Sequence, residues 1–165
     1  MESVLKKLSE GKVGAVRKTA SRRLKADRDD PEGWFLMGMV SHEKGNEEYA
    51  LECFERSLYL KRTGKYHKAK SMSHMGLFEF EEAASELRKS LDINKDAESH
   101  FMLYVALLFL NDTGAEKHLA AAHRMKPAKT KKMLREFYNS FFRDDRSIPE
   151  KEKKLMMKKL GIKSA

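Results

Sequence analysis

ALECFERSLYL at residues 50–60, AASELRKSLDI at 83–93 and AEKHLAAAHRM at 115–125 are the stretches whose reading decides the fold. Aligned without gaps, they place Ala50, Ala83 and Ala115 together, then Phe54, Leu87 and Leu119, then Ser57, Ser90 and Ala122, then Leu60, Ile93 and Met125. The offsets are 33 and 32 residues. A small residue followed four positions later by a large apolar one keeps both on the same side of a helix. Recurrence at a fixed period of this size is the mark of a repeat architecture.

The flanking sequence extends the pattern. Gly11, Asp30-Pro31, Gly45, Gly64, Asn94, Thr113-Gly114, Pro127 and Ser147-Ile-Pro149 break the chain into segments with helical apolar spacing. No segment alternates strictly, so strands are not expected. Asp30-Pro31-Glu32 supplies an N-cap, a first-turn proline and an early acid. Thr113 to Glu116 and Ser147 to Glu150 have capping-box spacing. A last helix is expected from Ile148 to Leu160, with Gly161 as its stop.

Trp34-x-x-Met37-Gly38, then Gly45, then Ala50-x-x-x-Phe54 is a helix–turn–helix of which Ala83/Leu87 and Ala115/Leu119 are later copies. This resembles the tetratricopeptide repeat, a helical hairpin of about 34 residues. Ser41 stands where that family usually has an aromatic. The resemblance covers approximately residues 12–127 and implies an all-α fold, a short α-solenoid of antiparallel hairpins with a C-terminal helical extension. The array is read as residues 1–127, with an incomplete unit at 1–30 and units at about 31–63, 64–95 and 96–127. Residues 128–165 are read as amphipathic and capping helices of the same structural domain. Stacked neighbours are expected to build one continuous core. The first helix of the middle unit fits least well. Tyr66, Ala69, Met72 and Met75 form its stripe, Lys70 and His74 fall awkwardly, and a deletion near Gly76-Leu-Phe would account for both this misfit and the 33-residue offset.

The resemblance implies that the first helix of each hairpin lines a concave groove. Groove positions would be Phe35, Met39 and His42, then Lys68, Met72 and Met75, then His100, Tyr104 and Leu107. A methionine- and aromatic-rich groove suits an adaptable partner surface. Family members that clamp peptide carboxylates need Lys, Arg and Asn at such positions; with Phe35 and Met39 there, the clamp is not expected.

Phe101 to Leu110 is the longest apolar run, too short to span a bilayer and apolar all round, so it needs cover on every side. Three covers are open: the chain's own segment 130–142, a partner, or a second copy in a homodimer. In that segment Met133, Phe137 and Ser140/Phe141 form one stripe, with Leu134, Tyr138 and Phe142 beside it.

The net charge of +9 is uneven. Residues 1–30 are net +4, 61–75 net +5 and 126–165 net +8, while 31–60 and 76–125 are each net −4. Basic edges would steer acidic partners. They also keep open an alternative, RNA binding by a helical-repeat protein. The aromatics, however, lie inside apolar runs rather than among the basic residues, and lysine-rich helix faces are usually solvated surface.

Enzymatic chemistry finds no foothold. The single cysteine, Cys53, lies in an apolar stripe and reads as a buried structural thiol. The six histidines lack metal-ligand spacing, so no metal or cofactor is expected. No phosphate loop, nucleophile elbow or dinucleotide fingerprint occurs, and Asp29-Asp30 and Asp144-Asp145 read as helix-end acids. The N-terminus lacks an apolar signal core, so a soluble cytoplasmic protein is expected. The expected role is a non-catalytic interaction module or scaffold that binds a helical, extended or acidic peptide.

Overall fold

A computed structural model describes residues 2–159. Its helices in chain order are α1 (Glu2–Ser9), α2 (Val13–Ala26), α3 (Pro31–His42), α4 (Glu47–Leu60), α5 (Gly64–Gly76), α6 (Phe80–Ile93), α7 (Ala97–Phe109), α8 (Ala115–Met125), α9 (Pro127–Phe141) and α10 (Glu150–Lys159). No strand occurs among the described residues. The pairs α3–α4, α5–α6 and α7–α8 are hairpins, each packed on the next, with α2 against α3 and α9 against α8 and α7. The expected helix stop, Leu160-Gly161, lies outside the described residues.

The repeat is written into the backbone. α3, α5 and α7 begin 33 residues apart. Their N-caps Asp30, Thr63 and Asp96 each accept a hydrogen bond from a first-turn amide. The turns after these helices each hold one residue at positive φ: Gly45 at 72°, Phe78 at 61° and Asn111 at 53°. These three are again 33 apart. From there to Ala50 and Ala83 is five residues, but from Asn111 to Ala115 only four. The missing residue therefore lies in the turn before α8, not near Gly76. In that turn Asp112, rather than Thr113, accepts the amide of Gly114 at 2.7 Å, and α8 has no side-chain cap. Ser147 likewise donates its hydroxyl to Asp145 at 2.7 Å.

Close helix approach explains the small residues. Ala50 and Ala83 are fully buried. At Gly38 an added Cβ would lie 2.5 Å from the Phe54 ring. Lys70 and His74, the awkward residues of α5, are placed by ions: Lys70 reaches Glu55 at 2.7 Å, and His74 lies 2.7 Å from Glu79.

The core is divided, contrary to expectation. One cluster joins Leu8, Val16, Phe35, Leu36, Phe54, Tyr66 and neighbours from α1 to α5. The other joins Ala83, Leu87, Phe101, Leu103, Leu107, Leu134, Phe137 and neighbours from α6 to α9. Between them, within the middle hairpin, runs a buried polar seam of His67, Ser71, Ser73, Glu86 and Ser90. His67 Nδ1 lies 2.6 Å from Glu86, and Ser90 donates to the Gly64 carbonyl at 2.9 Å. Burial pushes the Glu86 carboxyl upward, but Lys89, His67 and Lys70 outweigh it and hold the group below its ordinary value.

Candidate functional site

A trough of about 460 Å³, lined mainly by Met and Phe side chains, runs along α7. Its floor is Phe101, Met102, Val105 and Phe109 of α7. One wall is Met72 and Met75 of α5, and the other is Met133, Phe137, Ser140 and Phe141 of α9. Phe78 and Phe80 close the end near the α5–α6 turn, with His42 beside them. The sequence builds this because α7 is apolar all round: α6 and α8 cover its back, and α9 covers one flank. α9 packs on α8 and α7 and leaves the trough open. No described residue of α10 lines it.

The aromatic wall is continuous. Phe80 stacks on Phe109 at 4.4 Å between centroids, Phe109 meets Phe141 edge-on at 5.8 Å, and Phe141 contacts Phe137 at 5.0 Å. Yet Phe78 is 74% exposed and Phe141 50% exposed. Side chains this large are unusual when grouped and solvated on a protein surface.

The other end is polar. Lys65, Lys68, Lys126 and Lys129 surround Asp96 and Glu98 there, and Glu98 also lines the trough. Lys68 lies 3.2 Å and Lys129 3.3 Å from Glu98. Burial would raise the Glu98 carboxyl, but these two ammonium groups lower it below its usual range.

The residues anticipated for the groove separate into two sets. His42, Met72 and Met75 line the trough, and Lys68 stands at its polar end. Phe35 is buried, stacked on Tyr66 at 5.1 Å with the Lys65 amine 4.3 Å over its ring, and Met39 packs on the same N-terminal core. In α7, Tyr104 and Leu107 are buried. Burial raises the Tyr104 phenol first, and Glu116 of α8 adds to this. His100 Nδ1 lies 3.1 Å from His118 Nδ1 of α8. That set belongs to the α8 side, one step round the helix. A register carried from the second helices, whose last offset is one residue short, leads to His100, Tyr104 and Leu107. The N-cap spacing Asp30, Thr63 and Asp96 carries it correctly to Phe101 and Val105. Phe78, Phe80 and Phe109 lie outside the expected groove positions; the signal for the first two is the pair of aromatics on either side of Glu79, and for Phe109 its place at the end of the apolar run.

Trp34, Gly38, Gly45, Ala50, Phe54, Ala83, Leu87, Ala115 and Leu119 occupy structural places. Trp34 donates its indole N–H to the Arg28 carbonyl at 2.8 Å, and Leu119 packs on the second core. Cys53 is buried, and burial pushes its thiol up to about 11. Among the described residues no group of three or more His, Cys, Asp or Glu side chains is placed to hold a metal ion, and no helix is long and apolar enough to cross a membrane.

Stacked helical hairpins of one period, with an open trough on one face, define an α-helical repeat scaffold. Residues 31–63 match the tetratricopeptide repeat family. A crystal structure of MamA superposes with a TM-score of 0.67 at 17% identity, covering 97% of this chain and 93% of that one. A double mutant, MamA RS-1 ArsTM, gives 0.68 at 17% identity, covering 97% and 91%. At this identity the likeness is one of fold. No curated protein matches the chain in sequence. The chain thus carries a tetratricopeptide repeat at residues 31–63 within an all-helical repeat fold.

Proposed function

We propose that this protein is a non-catalytic protein-interaction module whose trough receives the apolar face of a partner helix. The observation that carries the reading is the run of partly solvated Phe78, Phe109 and Phe141 around a cavity that the chain's own α9 walls but does not fill. Parallel walls from α5 and α9 with α7 as floor favour a helix over an extended strand, since a helix laid between two helices repeats the packing already used by the stack. Floor residues from Glu98 to Phe109 span roughly 16 Å, or three turns of a partner. Methionines at 72, 75, 102 and 133 let the surface adapt to its occupant. At the polar end, Lys68, Lys126 and Lys129 outnumber Asp96 and Glu98, which favours a partner whose end there is acidic.

The test is photo-crosslinking in cells from a benzoyl-phenylalanine placed at Phe141, with Phe109→Glu as the competing variant. Crosslinked helical segments that vanish in correctly folded Phe109→Glu support the reading. Crosslinks that persist unchanged in that variant, or none at position 141, refute it.

A further inference from the structure

On the outside of the array, far along the chain from the trough, α2 carries a second surface. Gly14, Arg17, Lys18, Ser21, Arg22 and Lys25 line a shallow trench of about 570 Å³. They fall in two adjacent rows, Gly14, Arg17, Ser21 and Lys25 beside Gly14, Lys18, Arg22 and Lys25, each with three- and four-residue steps, so they form one stripe on one helix. Arg17, Lys18, Arg22 and Lys25 are all exposed. None of the four has an ion-pair partner among the described residues, whereas Arg23, on another face, is paired with Asp30. α2 has no acid in its first turn, and its N-cap, Lys12, makes no side-chain cap bond. Lys18 and Arg22 are one turn apart, and like charges at that spacing oppose the helix. The chain thus maintains a row of cations that repel one another and that no described residue neutralises.

We propose that this stripe is a docking surface for an acidic, extended polypeptide segment, one carrying Asp or Glu at alternate positions. The spacing supports that choice. The trench is roughly 16 Å long from Gly14 to Lys25. Alternate side chains of an extended strand point the same way about 6.6 Å apart. Lys18 and Arg22 stand about 6 Å apart along the helix axis. Gly14 and Ser21, the two residues without bulk, leave room for a backbone between the long cationic side chains. Other polyanions fit less well. Single-stranded nucleic acid binds by adding base stacking on aromatics to phosphate contacts, and the trench has no aromatic to supply the stacking. A membrane surface requires an apolar face to insert, and α2 exposes none: Val16 and Ala20 are fully buried, Val13 and Leu24 are partly buried, and only the small Ala15 and Ala26 are exposed.

Fluorescence anisotropy on the full chain tests this with three probes: a labelled Glu-Ser repeat peptide, a uridine oligomer of equal charge, and phosphatidylserine–phosphatidylcholine vesicles. The peptide is expected to bind at low salt and to lose about tenfold in affinity in the double variant Lys18→Gln, Arg22→Gln. That variant is expected to melt no lower than the parent, because a like-charge pair is removed. The control Lys131→Gln, Lys132→Gln makes the same change in net charge on α9 and is expected to leave affinity within about twofold. Charge reversal adds a rescue: Lys18→Glu with Arg22→Glu is expected to bind a Lys-Ser repeat instead. An equal loss in the α9 control means that net charge alone acts and overturns the proposal. So does tighter binding of the uridine oligomer or the vesicles through the same stripe, or no peptide binding at low salt.

Discussion

Replacing Gly38 by Ala tests whether the first hairpin is closed to its limit. The new methyl carbon would lie 2.5 Å, 2.7 Å and 3.0 Å from three atoms of the Phe54 ring. That ring has nowhere to go: Phe54 is fully buried and sits 6.1 Å from the Phe35 ring, which is itself stacked on Tyr66. Overpacking of this kind costs about 1–3 kcal/mol. Against it stands the helix preference of Ala over Gly, worth about 1 kcal/mol in a helix interior. Gly14→Ala isolates that second quantity, because nothing lies within 4 Å of its added Cβ. Gly14→Ala is therefore expected to raise stability by up to about 1 kcal/mol, and Gly38→Ala to lower it by about 1–2 kcal/mol. In a chain of this size each kcal/mol moves the melting temperature by roughly 2–4 °C. Thermal and urea unfolding followed by circular dichroism give both numbers. In the double variant Gly38→Ala, Phe54→Leu the two losses should be strongly non-additive, since the slimmer side chain removes the collision. A Gly38→Ala protein as stable as Gly14→Ala, or strictly additive losses in the double variant, would refute the argument.

Three further outcomes are expected. Phe78→Asn should stabilise the chain by about 1 kcal/mol in urea unfolding, because a left-handed backbone penalises Phe more than Asn, and it should weaken partner capture in the trough. Stability should fall as pH drops below about 6.5, the ordinary imidazole value: burial lowers both His100 and His118 below it, and in His118 the charge of His100 adds to this. The unfolded chain then binds more protons than the folded one, so the contribution is complete above that pH and lost beneath it; His118→Gln should flatten the dependence in urea titrations at successive pH values. Cys53, with its thiol pushed up to about 11, should react with a disulfide reagent at neutral pH far more slowly in the native than in the unfolded chain, as read by absorbance of the released thiolate.

The helical repeat was legible because it is written in residues whose reason is local or pairwise. Asp30-Pro31 begins a helix by backbone chemistry, and Ala50 and Ala83 repeat because two helices meet there. The trough was legible only in part. Methionines of α5 were found because the first and second hairpins keep the same spacing. The α7 positions were displaced by one because the shortened turn at residues 112–114 alters the count after α7, and a register taken from the second helices inherits that change. The division of the core was not visible at all. His67 and Glu86 are 19 residues apart, and nothing local to either residue says that they pair; only the closed hairpin brings them together.

That polar plane has a consequence for how the molecule holds together. In a repeat array, cooperativity passes from unit to unit through interfacial free energy. Apolar contact supplies this on both sides of the middle hairpin, but across the hairpin it gives way to hydrogen bonds whose net worth is modest. The chain therefore resembles two welded blocks joined by a softer weld, and amides of α1–α4 should exchange their hydrogens as one population and those of α7–α9 as another. A partner seated in the trough would grip α5, α7 and α9 together, with α5 reaching across from the first block. Occupancy would then raise protection in the half that the partner never touches.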